Sequence, residues 1–135
     1  MAKLTTFTRL QAAELIVGNT TVSTITTAAA VTYTPAQVLG GLIIRDTNGA
    51  ARADLMPTAA TLYAALENPV KIVGLSFNFT IRNNSGAANS ITLTTNTGAT
   101  LNGTMTVAQS SQRDFTVVFA SPTAYTVYSQ GTVVF

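Results

Sequence analysis

Residues 73–82 read VGLSFNFTIR, an alternation of apolar side chains with small or polar ones. Successive side chains of a β-strand point to opposite faces, so this stretch predicts a strand with one apolar and one polar face. Ten residues of strand span roughly 33 Å, enough to cross a small domain. The stretch therefore predicts an all-β core packed on its apolar face.

Shorter segments of the same kind follow at close intervals, separated by turn residues such as Asn96-Thr97-Gly98 and Ser121-Pro122-Thr123. Regular short strands with turns between them are typical of β-sandwiches and barrels. We expect an antiparallel sandwich or jelly-roll-like barrel. The side chains predicted to point inward are Ile91, Leu93, Met105, Val107, Phe115, Val117 and Phe119. In the last strand Tyr125 and Val127 alternate with Thr126 and Tyr128. A further turn is expected at Gln130-Gly131.

One short helix is predicted after Pro57. Thr58 can cap it, Ala59, Leu62 and Leu66 recur at helical spacing, and Asn68-Pro69 ends it. Thr34 is a second predicted cap, with Pro35 at the first helical position, and it opens a single turn that Gly40-Gly41 closes. In residues 70–75 the apolar alternation slips by one position, which predicts a β-bulge beside Gly74.

Residues 1–40 form a predicted extended N-terminal arm, and residues 41–135 the β-sandwich domain. Large apolar side chains are sparse between residues 20 and 33, so this part buries too little to fold alone. It should lie on its own domain or on a neighbouring molecule. Leu4, Phe7 and Leu10 recur every three residues and are candidate partner-binding residues of the arm.

Residues 41–56 read as a β-hairpin whose turn is Asn48-Gly49, the dipeptide preferred in two-residue hairpin loops. This places Arg45 opposite Arg52, with Asp46 and Asp54 nearby. One interpretation is a solvated ribbon with internal ion pairs. The other is a charge-paired seam between subunits, which makes these four residues candidate partner contacts.

The charge content of the chain is low. Charged residues make up 9 % of the sequence and threonine nearly a fifth, with a net charge of +2. The seven basic residues are scattered rather than clustered, so no nucleic-acid partner is expected. An uncharged surface loses little when a protein covers it, which favours permanent assembly. Phe135, at the apolar C-terminus, is expected to be buried or covered by a partner.

Catalytic chemistry has few residues to use. The chain has no histidine and no cysteine, and its carboxylates are isolated or accompanied by arginine. We therefore expect no enzymatic activity, no cofactor and no metal site. No secretory signal is expected, and no membrane partner, because no apolar run approaches the roughly 18 residues of a membrane span.

Three stretches resemble small virion proteins of tailed phages, and most closely the capsid decoration (cement) proteins. They are residues 41–59, residues 77–83 and residues 124–129. The resemblance implies a β-rich protein on the outer surface of the phage head. Such proteins commonly act as trimers and bridge major capsid protein subunits. No functional-residue motif of the family transfers by position.

A trimeric receptor-binding or tail-fibre head module is the alternative. Such a module would contact a host glycan or protein through its loops. Aromatic residues clustered in loops would favour it, whereas Phe77, Phe79, Phe115 and Phe119 lie on predicted inward faces.

Overall fold

The computed structural model describes residues 21–66 and 74–135, which form nine strands and two short helices. The strands are β1 (Val22–Ile25), β2 (Leu42–Arg45), β3 (Arg52–Leu55), β4 (Ser76–Asn83), β5 (Ile91–Thr94), β6 (Ala99–Asn102), β7 (Thr106–Val107), β8 (Ser111–Ser121) and β9 (Ala124–Val134). The helices are α1 (Pro35–Leu39) and α2 (Ala59–Ala64). The all-β prediction is confirmed.

Both helices begin at the expected caps. Thr34 and Gln37 form a capping box on α1, and the Thr58 side chain accepts from the Thr61 amide on α2. The segment expected to be a single turn is thus a second short helix. Neither helix in the described ranges is long and apolar enough to span a membrane.

The strands form two sheets. The six-stranded sheet has the order β1-β2-β4-β8-β9-β6, and the three-stranded sheet has the order β3-β5-β7. β1–β2, β2–β4, β6–β9 and β3–β5 pair in parallel, so the expected antiparallel arrangement is wrong for these pairs. The physical reason is that long connections separate the two strands of each of these pairs. A long connection can carry the chain back to the starting end of the sheet, which parallel pairing requires and a tight turn cannot do.

The deciding stretch forms β4, as expected. Phe79 and Ile81 are buried and Asn78 is exposed, so the two faces differ as the alternation predicted. Phe79 lies opposite Phe115 on β8, and their rings stack with centroids 5.2 Å apart. The β-bulge expected beside Gly74 was inferred from the alternation of residues 70–73. Those residues lie outside the described ranges, so the bulge stays a prediction.

Both sheets contribute to one core. All seven side chains predicted to point inward from residues 91–119 are buried, so that prediction is confirmed, and Tyr125 and Val127 are buried as well. They share a cluster with Ile43 of β2 and Leu62 of α2. The core therefore lies against one face of the six-stranded sheet, and the other face of that sheet points away from it.

The predicted hairpin over residues 41–56 is wrong. β2 lies in the six-stranded sheet between β1 and β4, whereas β3 lies in the three-stranded sheet beside β5. The local turn prediction holds, because Asn48 and Gly49 have φ values of 47° and 111°. That turn carries the chain from one sheet to the other instead of folding it back on itself.

The described part of the predicted arm lies on its own domain. β1 extends the six-stranded sheet beside β2, and Tyr33 and Val38 are buried in the shared core. Residues 21–40 thus pack on the described part of their own domain, one of the two placements expected. Leu4, Phe7 and Leu10 lie outside the described residues, and their partner-binding role stays a prediction.

The turn expected at Gln130-Gly131 is also wrong, because β9 runs on to Val134. Gly131 faces Asp114 and Ser129 faces Phe115, which leaves Gln130 as one extra residue in the ladder. This is a β-bulge, a local irregularity that tolerates glycine and that sequence alone does not separate from a turn.

Candidate partner-binding surface

Arg45 and Asp54 form a buried ion pair between the two sheets. Arg45 ends β2, Asp54 lies in β3, and both side chains are fully buried. The Arg45 Nε donates to Asp54 Oδ2 at 2.8 Å, and the Tyr33 hydroxyl donates to the same oxygen at 2.9 Å. The backbone amide of Val31 donates to Oδ1 at 3.0 Å. The pair thus joins the two sheets and the segment before α1.

The remaining Arg45 donors hold that segment in place. Its Nη1 donates to the carbonyls of Thr27 and Asp46 at 2.8 and 2.6 Å, and its Nη2 donates to the carbonyl of Ala29 at 2.7 Å. A second bond from Nη2, to Asp54 Oδ1, measures 3.4 Å. Guanidinium has five N–H donors, and each of the five has a partner here. A buried charge this well satisfied is a structural element.

Tyr33 completes the cluster, although its sequence context marked it only as an apolar residue of the arm. Burial has the largest effect on the pKa of the Tyr33 hydroxyl, and the nearby Asp54 carboxylate has the second largest. Both raise this pKa above the ordinary value for tyrosine. The hydroxyl therefore stays protonated and donates to Asp54. No spacing pattern links residues 33, 45 and 54, so sequence reasoning could not find this triad.

The four charged residues predicted as partner contacts do not lie together: two are fully buried and two are half-buried. Arg45 and Asp54 lie inside the chain, so neither the solvated ribbon nor the seam between subunits describes them. Asp46 is half-buried at the corner after β2, where its Oδ1 accepts from the Asn48 amide at 2.9 Å. Arg52 is half-buried at the start of β3. Among the described residues, the ion pair found is the one between Arg45 and Asp54.

The face of the six-stranded sheet that points away from the core, hereafter the outer face, is nearly uncharged. Strand register places Asn78, Thr116 and Tyr128 side by side across its middle. The charged side chains that β1, β2, β4, β6, β8 and β9 direct to this face are Arg82 and Asp114. Asp114 accepts a hydrogen bond from the Thr80 hydroxyl at 2.6 Å, so even this carboxylate is engaged within the sheet.

Apolar side chains border the outer face at the end of β9. Val133 is 57 % exposed and Phe135 is 47 % exposed. The Arg82 guanidinium lies 3.6 Å from the centre of the Phe135 ring, a cation–π contact. Phe135 is thus neither buried in a final strand nor left in open solvent, and it remains a candidate partner contact.

A groove lies at the end of the outer face near the start of β1. It has a volume of about 400 Å³ and runs beside β1, β2 and β4, lined by Val22, Leu42, Asn78 and Thr80 among others. Its lining contains no titratable side chain. In residues 21–66 and 74–135, no group of three or more His, Cys, Asp or Glu lies close enough to hold a metal ion.

Comparison with known proteins returns no relative. No family model, no curated protein and no solved structure matches the chain.

Proposed function

We propose that this chain is a structural protein of a phage virion. It binds the outer surface of the capsid and stabilises it by bridging major capsid protein subunits. The resemblance of residues 41–59, 77–83 and 124–129 to decoration proteins suggests this role, and it implies a homotrimer. The proposal assigns no catalytic, cofactor or metal site.

The proposed architecture is a β-sandwich in which the two sheets face each other across the core. Ile43 and Phe115 from one sheet and Ile91 and Leu93 from the other belong to one buried cluster, which supports this arrangement. The Arg45–Asp54 pair supports it too, because it links β2 to β3. A sandwich leaves the outer face of the larger sheet available to a partner.

The observation that carries the proposed function is the low charge of the outer face. A charged side chain must lose its water when a protein covers it, and this desolvation costs several kcal/mol per ion. Threonine and asparagine lose less and can hydrogen-bond across an interface. With two charged side chains among the strands of this face, a large area can be covered at small cost.

Repetition of the binding site would strengthen the attachment. A capsid presents the same major capsid protein surface many times, so an assembly of several copies binds through several equal contacts. Linked contacts give an avidity above the affinity of each one. This suits a surface whose single contacts are apolar and neutral rather than strongly charged.

The test is addition of the purified protein to phage heads assembled from the co-encoded capsid protein without it. We expect the protein to co-sediment with the heads and to raise the temperature at which they break open. A glycan array probed with the same protein should show no specific binding. Failure to bind heads would contradict the proposal, and selective glycan binding would favour the receptor-binding module instead.

A further inference from the structure

The end of β9 has an open edge. β6 pairs with β9 over residues 125–128, and none of the described residues pairs with the same side of β9 beyond that point. β8 covers the other side of β9 as far as Val134. We call residues 130–134 the β9 edge.

β1 provides a second open edge at the opposite end of the sheet. Its four residues pair with β2 on one side, and within the described ranges nothing pairs with the other side. We call Val22–Ile25 the β1 edge. The sheet ends in β1 on one side and in β6 on the other, where β6 covers only the first part of β9. The outward backbone groups of the β1 edge and of the β9 edge have no partner among the described strands.

Neither edge carries the charged side chains or prolines that commonly prevent pairing, and the bulge at Gln130 leaves residues 131–134 in regular register with β8. Soluble proteins usually guard open edges with lysine, proline or a covering loop. β1 and β9 contain no charged residue and no proline. Both instead expose valine, with Val22 at 53 % and Val134 at 77 %. Unguarded edges with exposed apolar side chains are typical of strands that meet another strand.

The hydrogen-bond pattern identifies the backbone groups that face outward. The Phe135 amide donates to the carbonyl of Ser110, which directly precedes β8, and the Ile25 carbonyl accepts from the amide of Asp46, which directly follows β2. Along a strand, the backbone amide and carbonyl groups of successive residues point alternately to one neighbouring strand and to the other. The backbone groups of Thr132 and Val134 therefore point to the open side of β9. By the same alternation, Thr24 and Val22 face the open side of β1.

We propose that the β9 edge of one copy pairs in parallel with the β1 edge of a second copy of this chain. β1, β2 and β4 run in parallel, β8 runs against β4, and β9 runs against β8. β1 and β9 therefore run in the same direction within one copy. When copies of the chain are related by rotation about an axis along the strands, β9 of one copy lies parallel to β1 of the next. Parallel pairing already joins β1 to β2 and β6 to β9.

Head-to-tail pairing uses both edges in a single kind of contact. Pairing of two β9 edges about a two-fold axis would leave both β1 edges open, whereas a closed head-to-tail ring pairs every β1 edge with a β9 edge and leaves only the outer side of β6 uncovered. The two edges also suit each other electrostatically, because neither carries a charge that the other would have to neutralise. Closure after three copies rests on the proposed function, but the strand pairing itself does not.

Proline at an outward-facing amide removes one donor from the contact and none from the protein's own sheet. Thr24→Pro and Thr132→Pro should each lose self-association, which sedimentation velocity would show as a shift from the assembly to the monomer. Circular dichroism checks that both variants keep the wild-type β signal. Thr24→Lys and Thr132→Lys should repeat the loss, with Ala88→Lys in the exposed loop after β4 as the matched control that still assembles.

Mixing the two proline variants tests the head-to-tail geometry. Each variant keeps the edge that the other lacks, so the mixture should form a one-to-one heterodimer, whereas each variant alone stays monomeric. The chain has no cysteine, so a dye at Ala88→Cys in each variant would report the pair by energy transfer. Transfer in the mixture alone supports the proposal.

Three results would overturn it: a monomeric wild type, normal assembly of Thr24→Pro, or no transfer in the mixture. Head binding is measured separately. A monomeric protein that still co-sediments with heads would refute the edge contact and leave the proposed function standing. An assembly that does not bind heads would support the edge contact and contradict the proposed function.

Discussion

Replacement of Asp54 by alanine should lower the free energy of unfolding by about 3–5 kcal/mol, the usual effect of removing one partner of a buried ion pair. The change leaves the Arg45 guanidinium fully buried without its carboxylate, and it removes the acceptor of the Tyr33 hydroxyl. The segment that Arg45 holds through the carbonyls of Thr27 and Ala29 should loosen as well.

Urea unfolding at one fixed protein concentration measures this effect, since assembly would otherwise change the apparent stability. Asp114→Ala is the matched control: its carboxylate is exposed, and its loss should cost less than about 1 kcal/mol. The double variant Arg45→Met/Asp54→Leu should recover part of the loss, because no buried charge remains unpaired. The recovery is partial because the Tyr33 hydroxyl and the carbonyls of Thr27 and Ala29 still lose their partners. A cost for Asp54→Ala no larger than that for Asp114→Ala would contradict the role of the buried pair.

Replacement of Phe115 by alanine should cost about 3–5 kcal/mol of unfolding free energy, the range for aromatic side chains deleted from a core. Phe115 is fully buried at the centre of the six-stranded sheet, stacked on Phe79. β8 and its neighbour β4 surround the site with backbone that cannot collapse into the space, so a cavity remains.

The same unfolding measurement includes two comparisons. Phe115→Leu keeps most of the volume and should cost less than about 1.5 kcal/mol. Tyr128→Ala removes an aromatic ring from the outer face, where it is 39 % exposed, and should cost less than about 1 kcal/mol. If all three variants had the same small effect, the core could not lie on the face of β8 that carries Phe115.

The sequence predicted the faces of the strands well because alternation is a local property. Phe79 and Ile81 of β4 and Phe115 and Val117 of β8 are buried as their spacing required. The helix caps at Thr34 and Thr58 were found for the same reason, since a cap depends on residues three positions apart.

Strand partners were harder to predict because pairing depends on residues far apart in the chain. Asn48-Gly49 correctly indicated positive φ, but a turn of this kind does not decide whether its flanking strands pair. Ile43 lies beside Ile81 rather than across the turn. The continuous apolar run of residues 42–44 was the available signal, because strands of parallel sheets often lack alternation.

The candidate site was predicted in part. The low charge content indicated a surface suited to protein contacts, but it could not say which face carries it. Two of the four charged residues predicted as partner contacts, Arg45 and Asp54, form an ion pair inside the fold instead. A charge near a turn looks exposed in sequence, and its burial depends on Tyr33 and the segment before α1, which no local pattern connects to it.

Co-sedimentation of outer-face variants with phage heads tests the central claim most directly. Thr116→Lys adds one charge at the middle of the outer face, and Ala88→Lys adds the same charge in an exposed loop. We predict that Thr116→Lys binds heads at least about ten-fold more weakly than the wild type, the effect of roughly 1.4 kcal/mol, whereas Ala88→Lys binds as the wild type does. Equal binding by both folded variants would contradict the assignment of the outer face as the docking surface.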